Sequence, residues 1–251
     1  MEYQDINQII QANGLRLVLV RGMPSPWGQA TKAMMEYKGL DFLAGPQQGG
    51  GENPELVAWS GVNSAPVVAW NDEPPLNGWL EILLLLERLA PDKPLVPQEP
   101  SARVQLFGLA HEICGELGFG WNRRLDLVHA GMKPGDPPQG MGAKYGYNEI
   151  DGPLAASRSI AFMGYLAETL KAQAERGSDF LIGERVTAVD FYWAAFSNLV
   201  AMQPQEECPL DPAVRPMFES TSAEVTAAID PILIEHRDRM MRAYFKVPME
   251  M

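Results

Sequence analysis

The sequence predicts an α/β unit followed by an all-helical unit, on three observations. Up to residue 90, short apolar runs alternate with helical patterns; a proline-rich stretch follows; beyond it only helical periodicity recurs. The expected boundaries are 1–90 for the α/β unit with a short N-terminal extension, 91–100 for the linker, and 101–251 for the helical unit.

Taken in order, "LRLVLVRG" (15–22) is a continuous apolar run closed by glycine, the pattern of a buried strand. A helix follows, with Ser25 in the N-cap position, Pro26 at the first helical position and Gly39 as its stop. "LDFLAG" (40–45) reads as a second strand, "PQQGGGENP" (46–54) as a loop, and "PELVAWS" as a short helix or turn. "PVVAWNDEPPL" (66–76) holds a strand, a turn at Asn71-Asp72 and a brief further strand. "GWLEILLLLERLAP" (78–91) is a helix ending where Ala90 precedes proline. "PDKPLVPQEP" (91–100) carries four prolines in ten residues and is the linker. Residues 102–128 have apolar positions at helical spacing loosened by glycines, and 129–153 read as a long loop retaining Tyr145 and Tyr147. Helices are expected over 154–176, from Thr187 to Met202 behind a Thr187/Asp190 capping box, and from Pro212 to Phe245 with breaks at Pro216 and Pro231.

The bulk properties exclude several classes. The 251 residues carry a net charge of −12, which disfavours nucleic acid as the main partner. Two cysteines make neither a disulfide framework nor a metal cluster, so a reducing cytoplasm and no metal are expected. The opening "MEYQDINQIIQANG" lacks the basic and apolar regions of a signal peptide, and "ILLLL" (82–86) is far too short to span a membrane.

Four blocks carry a resemblance to a known family. They are "SPWGQATKAMMEYKGLDF" (25–42), "NPELVAWSGVNSAPVV" (53–68), "PPLNGWLEILLLLERLAP" (74–91) and "FLIGERVTAVDFYWAAF" (180–196). In this order and spacing the chain resembles the glutathione transferase superfamily, bacterial and serine-type. The resemblance implies a thioredoxin-like N-terminal domain followed by an all-α C-terminal domain. It implies glutathione as cosubstrate, a small apolar electrophile as the second substrate, and a homodimer.

Residue by residue, the resemblance makes Ser25 the hydroxyl that stabilises the glutathione thiolate at a helix N-terminus. The residues alone favour reading Ser25 as a helix cap worth about 1 kcal/mol, and the two roles are compatible in one side chain. Ala65, ahead of an expected cis Pro66, would offer its backbone to the cysteinyl part of the tripeptide. The family usually places an acid or glutamine and then a serine at the start of its third helix, holding the γ-glutamyl amino and carboxylate groups. Here Gly78 and Trp79 stand in those places, with Asn77 beside them as a substitute cap and ligand, and Ser64 replaces a common lysine. An anion site at that helix terminus stays physically available. Trp27, His111, Glu112 and Trp121 are the expected substrate-pocket residues; each also reads as structural. The implied function is thiolate addition or transfer to an electrophile; the alternative is a non-catalytic binding protein on the same fold.

Overall fold

The computed structural model describes residues 1–133 and 135–251 and divides into two compact units. The first comprises Met1–Val96 together with Pro204–Asp211 and Met241–Met251; the second comprises Pro97–Gln203 and Pro212–Met240.

The first unit begins with a helix the sequence reading passes over, α1 (Ile6–Gln11). Its signal is a capping box: Asp5 accepts from Asn7 N–H while Gln8 reaches back to the Asp5 N–H. Then come β1 (Leu15–Val20), α2 (Pro26–Lys38), β2 (Leu43–Gln47), α3 (Pro54–Ser60), β3 (Val67–Trp70) and α4 (Trp79–Leu89). The strands form one sheet in the order β2-β1-β3. β1 runs parallel to β2, with Val18 opposite Gly45, and antiparallel to β3, with Val18 opposite Val67. The expected further strand is reduced to a single bridge, Val68 to Leu76. Pro74 and Pro75 lack the N–H groups a ladder needs, and only Leu76 exchanges both bonds with Val68. β2 extends past residue 45 through Pro46, a residue an edge strand tolerates.

Ile9, Val18, Leu56 and Val67 form a buried cluster that joins α1 and α3 to one face of this sheet. Arg16 clamps that face: its guanidinium donates to Ile10 O and Asn71 O and lies 5.5 Å from the Trp59 ring centre. On α2, Gly28 is a packing requirement, because a β-carbon there would stand 2.7 Å from Leu19 Cδ2. Ten of the thirteen α2 residues are buried, among them Gln29, Thr31, Lys32 and Lys38. The later segments of the same unit account for part of this. Gln29 Nε2 donates to Glu250 O at 3.0 Å, Lys32 Nζ lies 2.9 Å from Glu250 Oε2, and Tyr37 packs edge-on against Tyr244.

At the other end of α2, Lys38 is fully enclosed and its Nζ meets Glu87 Oε1 (2.7 Å), Ala90 O (3.0 Å) and Lys93 O (2.7 Å). Glu87 in turn accepts from the N–H groups of Leu95 and Val96. One ion pair therefore ties α2 to α4, caps the carbonyl end of α4 and anchors the chain that leaves it.

The second unit contains α5 (Pro100–Cys114), α6 (Phe119–His129), α7 (Met141–Lys144), α8 (Asp151–Ala174), α9 (Ala188–Phe196), a 3₁₀ turn at Ser197–Leu199, α10 (Arg215–Glu219) and α11 (Ala223–Ala227). Helix α12 (Pro231–Tyr244) completes the chain's regular structure. The stretch 102–128, which reads as one loosened helix, is two. Leu117 takes φ +60° and Asn122 Nδ2 donates to both Leu117 O and Gly118 O, sealing the break. A β-carbon on Gly118 would press on the carbonyls of His111 and Glu112 at 2.8 and 2.7 Å, so glycine is required there. Pro216 and Pro231 lie in the first turns of α10 and α12, where they start helices instead of breaking them. All of α9 is buried, and Asp190 receives the N–H groups of Leu181 and Thr187, the Thr187 hydroxyl and His236 Nε2. None of the described helices is long and apolar enough to cross a membrane.

Removing one partner of an enclosed ion pair strands the other charge, which costs about 3–5 kcal/mol. Lys38→Met should lower the melting temperature by on the order of 10 °C, and Lys38→Met with Glu87→Leu should recover much of it. Calorimetry checks this; a single-variant loss under about 1 kcal/mol would show the pair to be incidental. A second expectation concerns acid. Burial pushes the Glu250 carboxyl up, but bonds from the Met1 ammonium and Lys32, with the charge of Lys246 nearby, hold it down at about 2. A carboxylate depressed in the folded state stabilises it above the ordinary value of 4.5 and loses that contribution as pH falls toward 2. Denaturant titrations should therefore show wild type and Glu250→Gln converging between pH 4.5 and 2, with a constant gap above pH 5. A gap unchanged at pH 2.5 would remove Glu250 from the account.

Candidate functional site

The strand registers bring four sequence features to one end of the sheet. β1 and β2 are parallel, so their C-terminal ends coincide; β3 is antiparallel, so its N-terminal end joins them. Residues 21–25, 48–53 and 63–66 therefore leave or enter the sheet at that end. Leu76, paired antiparallel with Val68, delivers Asn77 and Gly78 to the same place. The N-termini of α2 and α4 open there together, each bringing first-turn N–H groups and the positive end of a helix dipole.

Ser25 occupies the N-cap position of α2, yet its side chain makes no cap hydrogen bond. Its backbone does the capping: the carbonyl accepts from Gln29 N–H at 2.9 Å, and the N–H donates to Met23 O at 2.9 Å. Helix entry is secured by Pro26 at the first helical position, with φ already suited to it. The half-buried hydroxyl is thus left over at a helix N-terminus, where a thiolate would be favoured. Trp27, the next residue along, is also half-buried.

The Ala65–Pro66 bond is cis, as the resemblance implies. Pro66 is buried and Ala65 half-buried just before β3 begins, so the Ala65 backbone takes no part in the sheet ladder. Asn77 is exposed and its Nδ2 donates to Pro66 O at 3.0 Å, which fixes the α4 entry against the proline. Gly78 is the N-cap of α4, in extended conformation and without a side-chain cap; Trp79, the first helical residue, is half-buried.

Sequence reasoning missed one charged group at this end. Glu81 folds back over the α4 N-terminus so far that a β-carbon on Gly78 would collide with its Oε2. The signal was present: an acid in the first turn behind a glycine that leaves room for it.

The remaining expected residues lie in the second unit. His111 and Glu112 are exposed and line a cavity of about 970 Å³ with Phe119, Arg158, Phe162 and Tyr165. Trp121 is not among its lining residues; its Nε1 donates to Tyr145 O at 2.8 Å and its ring meets the Tyr145 ring edge-on. Tyr147 bonds His129 Nδ1 at 2.9 Å, so the loop around Tyr145 and Tyr147 is tied to α6. A smaller cavity of about 450 Å³ in the first unit is lined by residues including Tyr3, Arg21, Gln48 and Glu55. Burial pushes the Tyr3 hydroxyl up to about 12 despite the Arg21 charge. Burial likewise pushes the Cys114 thiol well up, leaving it a protonated core residue. Among the described residues no group of three His, Cys, Asp or Glu side chains is placed to hold a metal.

No protein-family model and no curated protein sequence matches the chain. Solved structures do. A Methylobacterium radiotolerans glutathione S-transferase in complex with glutathione sulfonate superposes at a TM-score of 0.63 and 17% identity, over 95% of this chain and 97% of that one. One from Methylobacillus flagellatus with glutathione bound gives 0.66 at 15%, over 95% and 100%. A rice glutathione transferase in complex with glutathione gives 0.59 at 19%, over 94% and 91%. With its three-stranded mixed sheet, cis-proline and helical second unit, the chain has the glutathione transferase fold, a thioredoxin-like domain followed by an all-α domain.

Proposed function

We propose that the chain binds glutathione at the sheet end shared by Ser25, Ala65, Pro66, Asn77, Gly78 and Trp79, and adds or transfers its thiolate to a small apolar electrophile. The observation that carries this reading is the Ser25 hydroxyl, placed at the α2 N-terminus and not consumed as a cap. Its position at the same sheet end as the cis-proline and a second helix N-terminus supports it, as do the glutathione-bound structures of like fold. In this reading Ser25 donates to the sulfur, the helix dipole lowers the thiol pKa, and the proton leaves to solvent. The thiolate then forms a carbon–sulfur bond, with expulsion of a leaving group or addition across a double bond. No protein nucleophile is needed, consistent with both cysteines being buried.

The second reading, a binding protein that performs no transfer, is favoured by Gly78, Trp79 and Ser64 standing where the family carries ligating side chains. We place the protein in the cytoplasm and propose that it is a homodimer. Leu117 and Tyr165, 44% and 56% exposed, border the helical-unit cavity, and Val104, one turn before its Gly108, is 73% exposed. An apolar face of this kind argues for contact with a second copy, and gives His111 and Glu112 an interfacial role in place of a catalytic one.

Calorimetry with glutathione separates the two functions. Binding below millimolar is expected, and none at millimolar concentration would end the transferase reading. Ser25→Ala should leave affinity nearly intact while raising the bound thiol pKa by about 1–2 units and cutting turnover with an aryl halide at neutral pH roughly 10- to 100-fold. Its rate should recover as pH rises; an unchanged profile would leave Ser25 with a structural role alone.

A further inference from the structure

Arg124 and Lys144 are brought together in the helical unit by contacts of their neighbours. Trp121, Arg124 and Val128 share one face of α6, and α7 lies on that face. Trp121 Nε1 donates to Tyr145 O at 2.8 Å, and a β-carbon on Gly142 would stand 3.2 Å from Val128 Cγ1. Lys144, the last residue of α7, is thereby set beside Arg124. Arg123 anchors a second element: it pairs with Asp126 and donates to Leu199 O, Ser220 O and the Thr221 hydroxyl. With 220–221 so held, Phe218 of α10 meets the Arg124 guanidinium, whose Cζ lies 5.9 Å from the ring centre.

Among the described residues neither the Arg124 nor the Lys144 side chain has a hydrogen bond or an ion pair, although the chain carries a net charge of −12. The acid nearest in sequence, Asp126, is engaged by Arg123. Two adjacent cations repel, and local burial followed by the Arg124 charge holds the Lys144 ammonium below its ordinary value. Folding thus retains a pair of charges that it does not neutralise, and a ligand can. A monoanion would leave one cation over. A phosphate monoester carries about −1.5 to −2 at neutral pH, with three acceptor oxygens that suit a guanidinium fork and an ammonium together. Trp121, Tyr145 and Phe218 are half-buried around the two cations, so each leaves part of a ring open to a flat apolar body. We infer that Arg124 and Lys144 form a binding site for a small phosphate monoester carried on an aromatic body. All of its residues belong to the helical unit, so the inference does not rest on the glutathione reading.

The test is calorimetry on the full chain with phenyl phosphate, benzoate and inorganic phosphate as probes. Wild type should bind phenyl phosphate below millimolar, with benzoate (one charge short) and inorganic phosphate (no ring) each roughly 10-fold weaker. Lys144→Met and Arg124→Gln should each weaken phenyl phosphate roughly 10-fold or more. Neither variant should melt below wild type, because each relieves the repulsion, so a lost affinity is not a lost fold. Phenyl phosphate affinity unchanged in both variants overturns the inference, as does no binding to folded wild type at millimolar concentration. Benzoate as tight as phenyl phosphate overturns the match to a dianion, and inorganic phosphate as tight overturns the aromatic body. Glutathione is titrated separately, and its failure to bind would count against the transferase reading alone.

Discussion

The bond between Lys38 and Glu87 sets the geometry on which the candidate site depends. It fastens the last turn of α2 to the last turns of α4 and to the chain beyond, with two carbonyls completing the shell of the ammonium. Two helices joined at their carbonyl ends and lying on one sheet must open their N–H ends on the same side. That is where Ser25 and Gly78 begin their helices, and where the cis-proline enters β3. The positive ends of two dipoles thereby converge, far from the cation that holds them together. A lysine suits the carbonyl end because it complements the same dipoles with opposite sign.

The polar residues of α2 look, by periodicity, like a solvated face. Gln29 and Lys32 are buried because residues 241–251, distant in sequence, belong to the same compact unit and bring Glu250 against them. Glu250 meets Lys32 and Gln29, and Lys246 meets Glu36, so charge and hydrogen bonds help attach the covering segment, beside its buried Met241 and Met249. No local pattern announces this. A helix whose far side is covered by a later segment reads the same as one facing water, because period and composition report only which face is apolar.

The features that were legible share a local cause. The β1 run, the Ser25-Pro26 helix start and the Thr187/Asp190 box are each specified within a few residues, whereas the cis-proline was legible only through the family resemblance. α1 was equally local, since Asp5 and Gln8 spell its capping box, and was passed over because the segment is short with a single buried residue, Ile9. The α5–α6 break was half legible. The glycines mark a weak point, but the decision belongs to Leu117 in left-handed conformation and to the Asn122 amide that closes on it. For Glu81 the first-turn acid behind a glycine was legible, but its folding back was not, because that depends on the space the fold leaves at Gly78.

Ser25 shows most plainly how structure changes the weight of a sequence signal. Serine before Pro-Trp and a helical run is the ordinary mark of an N-cap, and the preference rests on a side-chain bond to a first-turn N–H. Here that bond is not made. The helix is started by Pro26, by the Ser25 carbonyl, and by burial against Leu19 and the Glu250 segment. Each of these would persist with alanine at 25. Serine at this position therefore adds no cap bond to the helix, and its hydroxyl remains a donor at a helix N-terminus that is not consumed in capping. An acceptor arriving there from a ligand meets a donor that need not first break an internal bond, the condition under which a hydrogen bond to sulfur contributes its full worth.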